Sequence, residues 1–287
     1  CLLSRGLGDV YKRQGLFVSS GATLQVKESN GSVRPWGDAR AKQIWKKPMA
    51  VMVDRYSASA SEIFAGAIQD YQRGIIIGQK TFGKGTVQKL DNLSSGQIKI
   101  TESKFYRITG AGMQSKGIHP DITLPSTWDI EEIGESSYDT ALPWDEIKPV
   151  RFKKFSMGPT LISKLNDEHL TRVDQSPNLQ YILDIRKRYE IQKNKEVISL
   201  NLTNRRIEKE ERQSWALDIE NKRRASLNLE TFNSYNAMQD YNDAKETEND
   251  ERDSEIDLDN DYLLNEGMQI LSDYAIFNQN IYLSKAA

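Results

Sequence analysis

Three serines stand at alternate positions, Ser57, Ser59 and Ser61, in "DRYSASASEIF", and a lone lysine, Lys84, follows between two glycines in "TFGKG". Two chemistries want such groups. One is phosphate binding, in which a glycine-rich loop and a lysine cradle an anion. The other is nucleophilic catalysis, in which a serine hydroxyl needs a base beside it because it attacks poorly at neutral pH.

"GQKTFGKG", Gly78 to Gly85, nearly matches the phosphate loop G-x-x-x-x-G-K-[ST]. Two details oppose that reading. The residue after Lys84 is Gly85, which puts the metal-binding hydroxyl one place late, at Thr86. The chain then runs on as "TVQKL", which is β-prone, whereas a phosphate loop opens a helix whose N-terminus holds the anion. For a serine nucleophile the usual base is histidine, but the chain has only His119, before a proline in a turn, and His169, in a polar helical segment. Lysine is the remaining base. It works only when neutral, a form that an apolar pocket favours. Phe82 offers one apolar wall, and Gly83 and Gly85 leave room for close backbone approach. Serine–lysine pairs are a known variant of the triad logic. On residue types alone a plainer reading stays open, with the serines capping a helix and Lys84 an exposed turn residue.

The elements that must position these groups are legible around them. "PMAVMVD", Pro48 to Asp54, is a short continuous apolar run that suits a strand buried on both faces. "SASASEIFAGAIQDYQRG" then predicts a helix with Ile63, Phe64, Ala67, Ile68 and Tyr71 on one face and Gly74 at its end. "IIIG", Ile75 to Gly78, predicts a second buried strand. Such a strand–helix–strand unit implies parallel neighbours. "TVQKL" and "GQIKITESKFYRI" read as strands joined by a turn at "DNLSSG". The segment after them is loop-rich, with Trp128 and Trp144 as expected anchors. From about Pro159 the pattern becomes helical, polar and charged.

Composition narrows the class. The hydrophobic fraction, 38%, is below the globular norm of about 45–50%, and the shortfall lies after Trp128. Net charge is −2, so no global field favours nucleic acid or an anionic membrane. The run "NRRIEKEERQ" alternates its charges, which fits a solvated helix face rather than a nucleic-acid site. Eleven acids against Lys245 and Arg252 fall between 240 and 261, the composition of a solvated linker. The single cysteine, Cys1, allows no intrachain disulfide. No apolar run of about 18 residues exists to span a membrane. "CLLSRGLGDVYKRQ" lacks a signal-peptide core and reads as a foreign or truncated join.

The stretch "VDRYSASASEIFAGAIQDYQRGIIIGQKTFGKGTVQ" resembles the catalytic stretch of the tail-specific proteases, the carboxy-terminal processing peptidases of serine peptidase family S41. That family's motifs are S-A-S-E-I-F-A-x-A-x-Q-D and F-G-K-G-x-x-Q. The resemblance implies Ser59 as nucleophile, Lys84 as general base and Gln88 as the residue that orients the lysine. It gives Asp70 a supporting role and leaves Ser57 and Ser61 none. The Ala60 amide, near a helix N-terminus, is the candidate oxyanion donor. "KFYRITGAGMQSKGIHPDITLP" resembles the family's closing strands, and "TALPWDEI" and "NDEHL" onward its helical C-terminal domain.

The implied fold is mixed α/β. Residues 1–14 form the join and 15–127 a partial crotonase/ClpP-like peptidase core, and 128–287 a helical C-terminal domain. The implied activity is serine endopeptidase action on proteins selected by their C-terminal tails. It needs no cofactor and no metal, acts in the periplasm, and has a lipoprotein adaptor as a further partner. The family's PDZ domain and its D-x-R-x-N-x-G-G segment are not in this sequence, so the expectation is a C-terminal part of the enzyme with little activity alone. A non-catalytic scaffold is the alternative class.

Overall fold

The computed structural model describes residues 14–38, 42–129, 131–251 and 261–286. All but the last residue of the expected N-terminal join lie outside them. That last residue, Gln14, is fully buried, and its Nε2 donates to Ile63 O at 2.9 Å. The chain divides into two units, one of residues 1–124, 128–167 and 267–287, the other of 125–127 and 168–266.

The first unit is built on two sheets. The predicted apolar runs become β3 (Ala50–Val53) and β4 (Ile75–Gly78), joined by α1 (Ala60–Asp70). They pair in parallel, with Ala50 opposite Ile75 and Val53 opposite Gly78, as a crossover helix requires. The short β7 (Ile122–Thr123) completes a three-stranded parallel sheet in the order β3-β4-β7. The second sheet is antiparallel, in the order β2-β1-β6-β5. Its strands are β1 (Leu24–Glu28), β2 (Val33–Trp36), β5 (Thr86–Asn92) and β6 (Gln97–Tyr106). The predicted turn is the tight connection closed by Leu93 N donating to Gly96 O at 3.0 Å. Ile63, Ile68, Ile76, Phe105, Ile108, Met113 and Ile118 are buried together as the core. At about 1.5–3 kcal/mol for each large apolar side chain buried, this core is what holds α1 and its N-terminus in place.

Three details depart from the sequence reading. β3, expected to be buried on both faces, is the edge strand of the order β3-β4-β7, and its Met52 is 39% exposed. The helix α1 ends at Asp70, and the left-handed residue after it is Gln72, at φ 52°, rather than Gly74. Gly74 serves close approach instead, since a β-carbon there would overlap the Met49 carbonyl. Trp144 anchors its loop, its Nε1 donating to Gly112 O at 2.9 Å, but Trp128 stays 51% exposed.

The second unit is helical. The helices after residue 160 are α2 (Leu161–Gln175), α3 (Pro177–Lys193), α4 (Leu202–Ser226), α5 (Tyr235–Glu251) and α6 (Tyr262–Ala286); α3, α4 and α5 lie wholly in this unit, whereas α2 begins, and α6 ends, among residues of the first. Within the unit α3 packs on α4, and α4 on α5. Val173, Leu179, Ile219 and Met238 are its buried apolar residues, a thin core for so polar a stretch. Polar clusters supplement it. Glu266 accepts from Arg172 Nε at 3.0 Å and lies 2.8 Å from His169 Nδ1, and Arg223 Nη1 donates to Tyr262 Oη at 2.8 Å. The acidic run expected as a linker is helical through Glu251, in α5, and its residues 252–260 lie outside the described ones. In the alternating run, Arg205 pairs with Glu208 at 2.6 Å, three residues apart on α4.

Candidate active site

The three serines occupy three different environments. Ser57 closes a tight turn after β3: its N–H and hydroxyl donate to Asp54 Oδ1 at 2.8 and 2.9 Å. Ser61 is exposed in the first turn of α1. Ser59 is the N-cap of α1. It is buried, and its Oγ has no hydrogen-bond partner. A serine at this place ordinarily accepts from the helix's own amides, and here the hydroxyl is left uncommitted. The backbone of Ser59 sits at φ 57°, ψ −108°, a region that favours glycine. Such a conformation costs about 1–3 kcal/mol and persists only where its surroundings over-determine it.

What holds it is Glu62, a residue the sequence reading passed over. Its carboxylate is fully buried and accepts four hydrogen bonds, two at each oxygen. Thr81 Oγ1 and Gly83 N donate to Oε1 at 2.5 and 2.7 Å. Ser59 N and Lys84 N donate to Oε2 at 2.8 and 2.9 Å. The start of α1 and the loop after β4 are therefore tied to one carboxylate, with the backbones of Ser59 and Lys84 on the same oxygen. Burial pushes the Glu62 carboxyl above the usual carboxylate range, against the pull of these four donors. The signal in the sequence was the S-x-x-E spacing of a capping box. The residues stand in the capping-box arrangement, and the half that closes to a full hydrogen bond is the one in which the glutamate reaches back to Ser59 N.

The Lys84 loop is held from the other side by residues 114–117. Gly85 N donates to Gln114 Oε1 at 2.9 Å, and Ser115 N donates to Gly83 O at 2.8 Å. The approach is so close that a β-carbon on Gly85 would overlap Gln114 N. Lys84 itself is half-buried, and among the described residues no carboxylate forms an ion pair with its Nζ. After Gly85 the chain enters β5 and not a helix, so the phosphate-loop geometry is absent here.

Gln88 lies on β5, where pairing with β6 shifts register between Val87 and Gln88. Such an irregularity re-aims the side chains beside it. Gln88 Nε2 donates to Thr86 Oγ1 at 2.6 Å, and its Oε1 is buried without a partner. No hydrogen bond joins Lys84 Nζ to Ser59 Oγ or to Gln88 Oε1, the two unpartnered acceptors of the motif. Ala60 is the first residue of α1, so its amide has no intrahelical acceptor. The amides of Ser59, Gly83 and Lys84 are already taken by Glu62. Asp70 stands apart from these groups. It ends the eleven-residue α1, roughly 16 Å along the axis from its start. There it accepts from Arg107 Nε at 3.0 Å.

Comparison with known proteins places both halves of the chain in one family. Residues 7–124 match the model of peptidase family S41, and residues 128–275 match that of the C-terminal domain of tail specific protease. The tail-specific protease of Haemophilus influenzae is 34% identical over an alignment of 294 positions that covers 98% of this chain and 40% of that protein. A probable CtpA-like serine protease of Staphylococcus aureus is 34% identical over 122 residues, 41% of this chain and 24% of that protein. Among solved structures, the photosystem II D1 C-terminal processing protease is 32% identical over 43% of this chain and 31% of that one, with a TM-score of 0.37. The chain thus spans about 40% of the length of the H. influenzae relative. With both halves matched in order, and the serine and lysine motifs inside the first, the chain belongs to peptidase family S41, in its tail-specific, carboxy-terminal processing branch of serine peptidases.

Proposed function

We propose that this chain carries the serine–lysine catalytic pair of an endopeptidase that degrades or trims proteins chosen by their C-terminal tails. One observation carries the assignment of residues. Ser59 is buried at a helix N-terminus in a strained conformation, its Oγ lacks a partner, and its backbone is pinned to the same carboxylate oxygen as Lys84. A buried polar atom left unpaired costs about 1–3 kcal/mol, so Ser59 Oγ and Gln88 Oε1 ask for a donor. We assign that donor to the amine of Lys84, because catalytic hydrogen bonds are often long until substrate closes the site.

In the reaction, Ser59 Oγ attacks the scissile carbonyl carbon while neutral Lys84 takes its proton. The oxyanion forms beside the Ala60 amide at the positive end of α1. The tetrahedral intermediate collapses, Lys84 returns the proton to the leaving amine, and an acyl-Ser59 ester remains. Water then attacks the ester, with Lys84 again taking and returning a proton, and Ser59 is regenerated. Gln88 Oε1 accepts a hydrogen bond from the lysine and fixes its direction. Asp70, through Arg107, supports the far end of α1 without touching substrate. The family resemblance of the motifs adds three further expectations: a periplasmic enzyme, substrates that are proteins with accessible tails, and a lipoprotein adaptor as partner.

The test is mutagenesis in the full-length gene product. Ser59→Ala and Lys84→Ala each abolish peptide cleavage, and the double variant is no worse, because the two act as a unit. Lys84→Arg is equally dead, since arginine does not deprotonate in proteins. Ser57→Ala and Ser61→Ala keep most activity. Substantial turnover by Lys84→Arg, or loss confined to Ser61→Ala, overturns the assignment.

A further inference from the structure

Beside the catalytic loops lies a strap made of Trp128 and residues 131–138, in the region matched by the C-terminal domain model rather than the peptidase model. It is fastened to both motif loops. Glu135 N donates to Phe82 O at 2.9 Å, and Phe82 N in turn donates to Ser57 O at 3.0 Å. Glu135 Oε1 accepts from Gln114 Nε2 at 2.9 Å, and the same glutamine's oxygen holds Gly85 N. The fully buried Arg55, one residue after Asp54, donates through Nε to the strap's Ile133 O and through Nη1 to Thr81 O.

Fastened in this way, the strap presents two aromatic rings to two others on the motif loops. Trp128 meets Tyr56 edge to face, with ring centroids 5.3 Å apart. Tyr138 meets Phe82 at 6.4 Å. Tyr56 belongs to the turn that holds Ser57, and Phe82 is hydrogen-bonded to that turn. Both pairs therefore border the turn that leads into Ser59. Tyr56, Trp128 and Tyr138 are 56, 51 and 57% exposed. Scattered exposed apolar residues are ordinary. A group of rings held open beside a nucleophile is not, because aromatic walls are what line small-ligand and side-chain pockets.

We propose that Tyr56, Trp128, Phe82 and Tyr138 form the subsite that takes a large apolar side chain of the substrate next to the scissile bond. The C-terminal domain region then supplies part of the peptidase specificity. The inference rests on Ser59 as nucleophile.

The experiment keeps the two apart. Full-length protein is assayed on peptides that vary one position at a time, alanine against leucine or phenylalanine, on either side of the cleaved bond. A small fluorophosphonate separately reports whether Ser59 reacts. In Trp128→Ala or Tyr138→Ala, kcat/KM for the large apolar residue falls at least about tenfold relative to alanine at one position only. Trp128→Phe and Tyr138→Phe restore the preference. An equal loss on every peptide, or an unchanged preference in both alanine variants while Ser59 still labels, overturns the subsite, including in favour of a docking role for the rings. A wild-type protein that does not label at Ser59 overturns the nucleophile assignment beneath it.

Discussion

Replacing Glu62 by glutamine changes one atom and breaks the joint between the serine and lysine loops. Each carboxylate oxygen accepts two donors, so every acceptor site is filled. An amide nitrogen in place of either oxygen turns an acceptor into a donor facing donors. Turned toward Ser59 and Lys84, it leaves two buried backbone amides without an acceptor. Turned the other way it leaves at least that of Gly83, while Thr81 Oγ1 is already accepting from Ile118 N at 2.7 Å. At about 1–3 kcal/mol for each orphaned group, the cost is one such loss at the least and two at the most. Removing the charge relieves the burial that raises this carboxyl, but it also removes the carboxylate whose field favours the buried guanidinium of Arg55. The expected result is a melting midpoint lower by several degrees. Fluorophosphonate labelling of Ser59, measured well below both midpoints, falls by about 10²-fold, the cost of a displacement near 1 Å. Ser61→Ala, exposed on the same helix turn, serves as the reference. A glutamine variant that melts and labels like wild type would refute the reasoning. One that melts early yet labels normally would leave Glu62 as a brace with no part in positioning.

Asp70→Asn, at the far end of α1, should lower stability by about 1–3 kcal/mol by weakening the hydrogen bonds from Arg107, a loss limited because burial already pushes this carboxyl above the usual range, while folded protein still labels at Ser59 within a few-fold. Abolished labelling in folded Asp70→Asn would place this residue at the site instead. In the helical unit, burial works to raise the Glu266 carboxyl, but hydrogen bonds from His169 and Arg172 outweigh it and hold the group below its ordinary range. A depressed carboxylate contributes stability that is full above its unfolded pKa and is lost as pH falls through the folded one. Glu266→Gln should therefore melt earlier than wild type at pH 7, and the gap should close as pH falls below about 4.3. A gap that is constant with pH would mean the carboxylate's charge is not what stabilises the unit.

Much of the frame could be read from local pattern. β3, α1 and β4 follow from two valine- or isoleucine-rich runs and one helical stripe, and their parallel pairing follows from the crossover between them. Lys84 stood out because glycines on both sides are hard to explain by propensity. What could not be read were contacts between segments far apart in the chain. Glu62 looks like half of a capping box until Thr81, Gly83 and Lys84 arrive from some twenty residues later. The strap has no periodicity, and its place beside the site depends on Arg55, Phe82 and Gln114 meeting Ile133 and Glu135. Trp128 was expected as an anchor because tryptophan usually buries most of its surface, and its exposure is informative for that reason.

The residues that break local rules gather where the motifs gather. Unpartnered buried atoms also occur elsewhere, at Gln14 Oε1 and Asp70 Oδ2, and an orphan alone marks nothing. At Ser59 two departures coincide in one residue: positive φ without glycine, and a buried hydroxyl at a cap position that has no hydrogen-bond partner. Four donors on a carboxylate pushed up by burial lie directly beneath it. Consistent sequences keep such conflicts apart, because each lowers stability without return. Their superposition on one serine, braced by an apolar core that includes Ile63, Ile68 and Ile76, is what a nucleophile requires. Its hydroxyl must stay free of the backbone that would satisfy it, and the backbone must be held too firmly to relax toward the cap geometry that would.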